Sequence, residues 1–459
     1  MNVDRQKFQE ILPGRYVTFT VSVPTPENSD GKEFRFAVLD SPAGRSLDEN
    51  RQVAAIVVPK GMESDWNFCT KKGHIEQLSG HSRVIMIGEN PQDDSPLLCF
   101  TFDKEEYNQY RKDIGRSLQP FLVDLVPRII DRNLITAVPI LEMDTRIDSI
   151  IGLERFFGKH VGEMIVEDVA LQDNSGGGSS SSSTSSSSNG VQVCSRALRF
   201  KRMPNLHQTI VLIGKESLKI GEREVPKPDL GVLLAGYHIA MIASLSMINE
   251  EIMLRINEGL KPRALCLGVG GGALLSFLKT QLGFEVHGVE IDEVVLQAAR
   301  KYFDLEDSDD MKIRVANALE FVDKLDRDGD QYCPREFEVI MVDIDTCDPV
   351  RAPPKEFFAR ETLLTCKYLL RDFGMLVMNV ISQGKSSGPY RAMLRQLRSV
   401  FYGIYEMDID NASQHDVILI ASASDLEPAS DDSQNPFLMK LRETTGGRYS
   451  YSIRKVNRR

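Results

Sequence analysis

The hydrophobic and polar positions follow two different rhythms along the chain. Up to about residue 221, short alternating or apolar runs are separated by proline and glycine clusters, as at 15–23, 34–39 and 54–58. From about residue 229, apolar runs typical of buried strands alternate with segments whose apolar residues recur at helical spacing. The first rhythm predicts a β-rich region, and the second predicts a sheet with helices between its strands.

The second rhythm predicts a full succession of elements. Helices are predicted at 230–256, 273–282, 292–303, 317–325, 355–370 and 389–401, and strands at 264–267, 284–289, 311–316, 337–342, 375–381, 403–409 and 416–421. The last two strands lack a full helix between them, which favours an antiparallel hairpin at the sheet edge. The predicted fold class is therefore α/β, a doubly wound, mostly parallel Rossmann-like sheet preceded by a β-rich α+β domain.

A serine- and glycine-rich tract at 174–190 has the composition of a flexible segment. Strand patterns flank it at 163–171 and 191–200, so we interpret it as a disordered loop of a long hairpin. Such a loop costs little free energy of closure, since each doubling of its length adds only about 0.6 kcal/mol. We place the domain boundary instead at 222–228, which is polar and interrupted by proline. The predicted domains are 1–221 and 229–423, followed by a polar and then basic tail at 424–459.

Composition limits the classes of protein. The 459 residues exceed what one core supports, and the net charge of −11 argues against nonspecific nucleic-acid binding. The seven cysteines form no Cys-x-x-Cys pair, which fits a reducing compartment without structural zinc, so no metal is expected. The N-terminus has no apolar signal region, and no apolar run is long enough to span a membrane. A cytoplasmic protein without a membrane partner is predicted.

Candidate chemistry begins in a strand–turn–helix–strand unit at 263–292. The glycines of its turn are Gly268, Gly270, Gly271 and Gly272. Glu290 closes the second strand about twenty residues after Gly268, the spacing expected of a carboxylate that holds a ribose. This unit alone leaves NAD, FAD and S-adenosylmethionine open, because all three carry a ribose, but the dinucleotides also need a pyrophosphate at the helix N-terminus.

A set of carboxylates follows the predicted strand 337–342. Asp343, Asp345 and Asp348 come at its carboxyl end, where open parallel sheets bind ligands. We expect them to face the same crevice as the glycine turn, and their charge favours S-adenosylmethionine, which carries a sulfonium cation and no phosphate. Asn317, after the third strand, is placed either to contact an adenine or to cap the following helix.

These residues carry a resemblance. Segment 237–420 resembles the spermidine-synthase-like branch of class I S-adenosylmethionine-dependent methyltransferases, and within it the methyltransferase-like protein 13 family of elongation factor 1-alpha lysine and N-terminal methyltransferases. The stretches that carry it are 236–243, Leu267-Gly-Val-Gly-Gly-Gly272, 288–292, Met341-Val-Asp-Ile-Asp-Thr-Cys-Asp-Pro349, 353–357 and 374–379, with 36–42, 57–61 and 166–169 upstream.

The resemblance implies a cofactor turn at the glycines, a ribose held by Glu290, and a methyl-donor pocket at Asp343. The expected cofactor-binding residues are Gly268, Gly270, Gly271, Gly272, Glu290, Ile291, Asn317, Ala318 and Asp343, and the expected catalytic residues are Asp343, Asp345 and Asp348. Asn317 departs from the family, which has an acidic residue there. The family also has a separate N-terminal methyltransferase domain responsible for lysine methylation; this chain begins after it, so that activity is not carried over.

The expected reaction is methylation of the N-terminal α-amine of elongation factor 1-alpha, a protein partner, by a chain that relatives of the fold suggest is a homodimer. A backbone α-amine has a pKa of about 7.7–8.0 against about 10.4 for lysine, so it is already partly neutral near pH 7 and needs little help from a base. Asp345 or Asp348 would orient the amine and take its proton.

Two alternatives stay open. The stretch 345–349 resembles the Asp-Ser-Ser-Asp-Pro signature of spermidine synthases, and Tyr237 falls at a related position, which indicates a polyamine aminopropyltransferase. The sequence neighbours of Tyr237 carry no carboxylate to grip a diamine, which counts against that reading. A binding module that keeps the fold without the activity is the other alternative, suggested by Asn317.

Overall fold

The computed structural model describes the chain in two compact units. The first takes its residues from 1–155, 165–194 and 199–207, and the second from 156–164, 195–198 and 208–459. The described residues are 5–25, 28–42, 53–78, 80–89, 99–128, 137–142, 147–171, 193–221, 223–325, 335–346, 351–382, 384–409, 416–427, 434–447 and 452–456.

The first unit is built on a four-stranded sheet with a long helix. Its elements are β1 (Tyr16–Thr25), β2 (Asn28–Asp40), β3 (Val53–Val57), α1 (Trp66–Cys69), α2 (Lys71–Glu76), β4 (Arg83–Glu89), β5 (Cys99–Thr101) and α3 (Lys104–Asp124). The strand order is β1-β2-β4-β3, with only the β3–β4 pair parallel. One sheet face packs Phe34 and Phe36 against Leu118 and Leu122 of α3. The three strands predicted before residue 60 are thereby confirmed as β1, β2 and β3.

Three further strands have residues in both units. They are β6 (Ile147–Gly158), β7 (Gly162–Leu171) and β8 (Val193–Phe200). Strands β7 and β8 are hydrogen-bonded neighbours in one sheet. The segment between them, which includes the predicted loop at 174–190, lies outside the described residues.

A buried ion cluster joins β7 and β8 to the start of α1. The Arg199 guanidinium donates to Glu167 at 2.9 and 3.0 Å and to Asp65 at 2.7 Å. All three side chains are at most 10% exposed, and Asp65 also caps α1 through the Asn67 N–H at 2.9 Å. Because each charge has a partner, the cluster is tolerated in the interior, whereas loss of one partner from such a cluster typically costs about 3–5 kcal/mol.

The second unit holds the predicted α/β sheet. The strands of this unit are β9 (His207–Ile220), β10 (Arg223–Asp229), β11 (Arg263–Leu267), β12 (Glu285–Glu290), β13 (Met311–Val315), β14 (Phe337–Val342), β15 (Leu370–Ile381), β16 (Gly403–Asp408), β17 (Asp416–Ser422) and β18 (Arg454–Lys455). Its helices are α4 (Gly236–Ala243), α5 (Asn249–Asn257), α6 (Ala273–Leu282), α7 (Glu293–Tyr302), α8 (Ala318–Leu325), α9 (Arg360–Leu369), α10 (Gly388–Arg398) and α11 (Pro436–Thr445).

The eight-stranded sheet has the order β13-β12-β11-β14-β15-β17-β16-β18. Strands β11 to β15 pair in parallel, and β17 pairs antiparallel with both β15 and β16. The predicted α/β class with its mostly parallel sheet is confirmed, as is the antiparallel hairpin. The chain reverses its direction of travel across the sheet between β11 and β14, so the carboxyl ends of these two strands form the switch point at which such sheets bind ligands.

Helices cover both faces of this sheet. On one face, Leu265, Leu267 and Ile340 pack with apolar residues of α8, α9 and α10. Successive residues of a strand point to opposite faces. Gly288 pairs with Cys266, which lies between Leu265 and Leu267 on β11, so it faces the other side of the sheet, where Leu275 of α6 packs directly over it.

Three predictions differ from the structure in detail. The helix predicted at 230–256 is divided into α4, a 3-10 segment at Ser244–Ile248, and α5. The predicted boundary at 222–228 falls on β10, which pairs with β9 despite its prolines. The predicted tail at 424–459 contains α11, which is capped by Asn435 and buries three apolar side chains, Phe437, Leu438 and Leu441. The apolar residues of α11 recur at helical spacing, but the polar composition of the whole segment obscured this pattern, so the helix was not predicted.

No helix in the described ranges is both long and apolar enough to cross a membrane.

His74 of α2 gives the first unit a defined sensitivity to acid. Its side chain is fully buried, and burial lowers its pKa to about 4, against an opposing bond between its Nε2 and the Phe68 carbonyl at 2.5 Å. In the unfolded chain this histidine has the ordinary pKa of about 6.5, so the unfolded chain binds a proton before the folded protein does as the pH falls. The neutral histidine thus contributes stability above pH 6.5 that is lost as the pH falls towards 4, about 3 kcal/mol over the full window.

We predict that a His74→Asn variant loses less unfolding free energy than the unaltered protein between pH 6.5 and 4.5. Urea unfolding at both pH values measures the difference. Equal losses in the two proteins would contradict the assignment.

Candidate functional site

The glycine turn after β11 adopts a backbone that other residues rarely take. Gly268 has φ +92°, and a Cβ there would lie 2.0 Å from the carbonyl oxygen of Asp343. Gly272 has φ +83°, and its Cβ would lie 2.6 Å from Leu305. The left-handed φ values and the close approaches together explain why glycine stands at these two positions. They also bring the end of β14 directly against the turn.

Every N–H group of the turn donates to an acceptor within the protein. The bonds are Gly268 to the Val289 carbonyl (2.9 Å), Val269 and Gly270 to Glu290 Oε2 (3.1 and 3.2 Å), Gly271 to Thr209 Oγ1 (2.8 Å) and Gly272 to the Val269 carbonyl (2.9 Å). A turn that cradles phosphate points such groups at its ligand. These five N–H groups instead donate to acceptors within the protein.

Glu290 is the acceptor on which the turn closes. Besides the two turn bonds to Oε2, its Oε1 accepts from the N–H groups of Ile291 at 2.9 Å and Asp292 at 3.2 Å. The residue is 7% exposed, and burial raises its carboxyl pKa while the four backbone bonds oppose that rise. A carboxylate offers about four lone-pair positions. A ribose held by Glu290 would therefore share or replace bonds to the turn.

Asp343 is fixed at the carboxyl end of β14. Its N–H donates to the Leu267 carbonyl at 2.8 Å. Its Oδ2 lies 3.1 Å from His238 Nε2, and its Oδ1 accepts from Asn379 Nδ2 at 3.1 Å. The carboxylate is 26% exposed, so one side of it remains open to solvent.

Tyr237 interacts with both Asp343 and Asp345. Burial raises the pKa of its hydroxyl well above the usual value, and the charges of Asp343 and Asp345 and a hydrogen bond to Asp343 raise it further. Asp348 lies outside the described residues, and its role stays a prediction.

The start of α8 lies beside the end of β12. The Ala316 N–H donates to the Glu290 carbonyl at 2.8 Å, and Asn317 Oδ1 accepts from the Leu319 N–H at 2.9 Å. Asn317 therefore caps the helix that Ala318 begins, which confirms the capping interpretation. An adenine contact by Asn317, Ala318 or Ile291 stays a prediction.

Sequence reasoning did not assign three residues that the structure brings to the site. Thr209 reaches the turn from β9, His238 from α4, and Asn379 from β15. The last two lie in stretches that carry the family resemblance, which is the one signal that pointed to them. Thr209 gave none, because its contact with Gly271 spans 62 positions. Among the described residues, no group of three or more His, Cys, Asp and Glu side chains could hold a metal ion.

A pair of glycine substitutions separates close packing from backbone strain. Gly283 has φ +73° and open space around its Cβ position, so Gly283→Ala bears only the left-handed cost of about 1–2 kcal/mol. Gly268→Ala adds the collision with Asp343, and we predict that it destabilises the protein by about 1–3 kcal/mol more. Urea unfolding of both variants measures this. Equal losses would contradict the packing of turn against β14.

No protein-family model matches the chain. It is 27% identical over 398 residues to the eEF1A lysine and N-terminal methyltransferase of Xenopus laevis, across 83% of this chain and 52% of that protein. It is 32% identical over 159 residues to the polyamine aminopropyltransferase of Vibrio vulnificus, across 34% of this chain and 49% of that enzyme. A solved structure of human methyltransferase-like protein 13 with SAH is 27% identical, covering 46% of this chain and 93% of that one, with a TM-score of 0.38.

The chain spans about half the length of the curated methyltransferases it matches. They come from frog, cattle, zebrafish and human at 24–27% identity. The resemblance stated from the sequence is confirmed: the chain is similar to the eEF1A lysine and N-terminal methyltransferases.

Proposed function

We propose that the chain is an S-adenosylmethionine-dependent protein N-methyltransferase. The observation that carries this proposal is a glycine turn whose N–H groups are all committed within the protein, beside the acidic end of β14. A dinucleotide pyrophosphate needs such donors. S-adenosylmethionine has no phosphate, and its positive charges suit the carboxylates there. The relatives named as methyltransferases support the same reading.

Each residue then has a stated task. The turn at 268–272 lets the backbone approach the cofactor, and Glu290 holds its ribose hydroxyls. Asp343 faces the positively charged methionine end. When bound, the cofactor supplies a methyl group on a sulfonium, and the transfer is an in-line displacement that depends on positioning. Asp345, or Asp348 just beyond it, orients the acceptor amine and takes its proton.

The acceptor that we propose is the N-terminal α-amine of elongation factor 1-alpha. The names of these relatives include both lysine and N-terminal methylation. Near pH 7 the α-amine is partly neutral, whereas lysine is almost fully protonated. An amine of ordinary pKa needs only orientation and a proton acceptor, and in this proposal Asp345 or Asp348 supplies both.

We predict that the purified chain transfers methyl groups from labelled S-adenosylmethionine to the N-terminus of elongation factor 1-alpha. Mass spectrometry of terminal and lysine peptides identifies the modified amine. A substrate with an acetylated N-terminus is the control and should stay unmodified. Methylation of lysine alone would contradict the proposed acceptor, and no methylation of either would contradict the proposed partner.

We also predict that Glu290→Gln weakens binding of S-adenosylhomocysteine at least about tenfold. An amide has one acceptor oxygen where the carboxylate has two, so a ribose hydroxyl would lose its acceptor in the complex at a cost of about 1–3 kcal/mol. Isothermal titration of the full chain measures the affinity. Glu293→Gln, an exposed carboxylate in the first turn of α7, is the matched control. Equal affinities in both variants would contradict the role of Glu290.

A polyamine aminopropyltransferase is the second candidate. It is favoured by the 32% identity to a bacterial enzyme over a third of the chain and by the 345–349 signature. Such an enzyme takes decarboxylated S-adenosylmethionine. Tighter binding of that molecule than of the intact cofactor in a titration would select this candidate over the methyltransferase.

The compartment and assembly are part of the proposal. We place the protein in the cytoplasm, which agrees with Cys69, Cys194, Cys266 and Cys366, none of which forms a disulfide. The homodimer remains a proposal from relatives of the fold, and sedimentation of the purified chain measures it.

A further inference from the structure

Besides the hydroxyl of Tyr237, two side chains with no assigned task hold the carboxylate of Asp343. His238 on α4 places Nε2 3.1 Å from Oδ2, and Asn379 on β15 donates from Nδ2 to Oδ1 at 3.1 Å. The backbone of Asp343 is fixed as well, by its bond to the Leu267 carbonyl and by its contact with Gly268. Main chain and side chain are therefore both set in place beside the turn.

Such an arrangement has a physical purpose. A carboxylate at a strand end can adopt several rotamers, and hydrogen bonds to its two oxygens select one of them. The carboxylate of Asp343 is thus held in one orientation before any ligand arrives, which reduces the cost of ordering on binding.

We propose that His238 and Asn379 are positioning residues that hold Asp343 towards the cationic methionine end of S-adenosylmethionine. The inference rests on the proposed function and adds two residues to it. It assigns no chemistry to either side chain: both act through Asp343. The consequence is that removing either donor should weaken cofactor binding while leaving the fold in place.

A second histidine–carboxylate pair in the same unit provides a matched control. His287 Nε2 lies 3.2 Å from Glu285 Oε1 on β12, and its side chain is 8% exposed, against 7% for His238. Glu285 begins β12, whereas Glu290 ends it, so this pair lies at the opposite end of the strand from the candidate site. Loss of a buried pair affects stability in both cases, and only the His238 pair should affect the cofactor.

The experiment titrates the full chain with S-adenosylmethionine and S-adenosylhomocysteine. We expect His238→Leu and Asn379→Leu each to weaken both affinities about tenfold. His238→Gln keeps a donor near the position of Nε2 and should stay within threefold of the unaltered protein. His287→Leu should stay within twofold, although thermal unfolding records a loss of stability like that of His238→Leu.

A double-mutant cycle tests whether His238 acts through Asp343. In an Asp343→Asn background, His238→Leu should add less than a twofold loss, because the charge it positions is gone. If His238→Leu does not fold, Asn379→Leu in the same cycle decides the question. Additive losses, or equal losses in His238→Leu and His287→Leu, would overturn the inference and leave the proposed function standing. Failure of the unaltered protein to bind either ligand would overturn both.

Discussion

The carboxylate of Glu290 is the interaction on which the candidate site depends. It accepts four backbone N–H groups, two from the glycine turn and two from the residues that follow β12. A buried charge is tolerated only with such partners, and buried N–H groups need an acceptor. One side chain therefore fixes the turn after β11 relative to the end of β12. Val269 and Gly270 can donate to it because the turn takes left-handed φ values at Gly268 and Gly270.

The end of β14 closes the same turn from the other side. Asp343 packs its carbonyl against Gly268, and its carboxylate lies between His238 and Asn379. The ends of β12 and β14 thus each carry a fixed carboxylate beside the turn after β11, one enclosed by backbone donors and one partly open. This polarity suits a ligand with a ribose and a positive charge, and it does not suit a pyrophosphate.

The pattern of apolar and polar residues predicted the features that depend on neighbours in the sequence. The run at 264–267, the glycines and Glu290 form one continuous unit, and the neighbouring strands are strongly apolar, so the sheet could be predicted from them. The pattern could not predict contacts between residues that are far apart in the sequence. Thr209 reaches Gly271 across 62 positions, and His238 reaches Asp343 across 105. Helix α11 was missed because its apolar face of Phe437, Leu438 and Leu441 lies between polar segments.

We propose that this turn binds S-adenosylmethionine and not a dinucleotide. Competitive titration of the full chain with S-adenosylhomocysteine and with NAD tests this most directly. We predict that S-adenosylhomocysteine binds and that excess NAD does not displace it. Tight binding of NAD, with no affinity for S-adenosylhomocysteine, would contradict this proposal, because the N–H groups of the turn that now donate within the protein would have to bind a pyrophosphate.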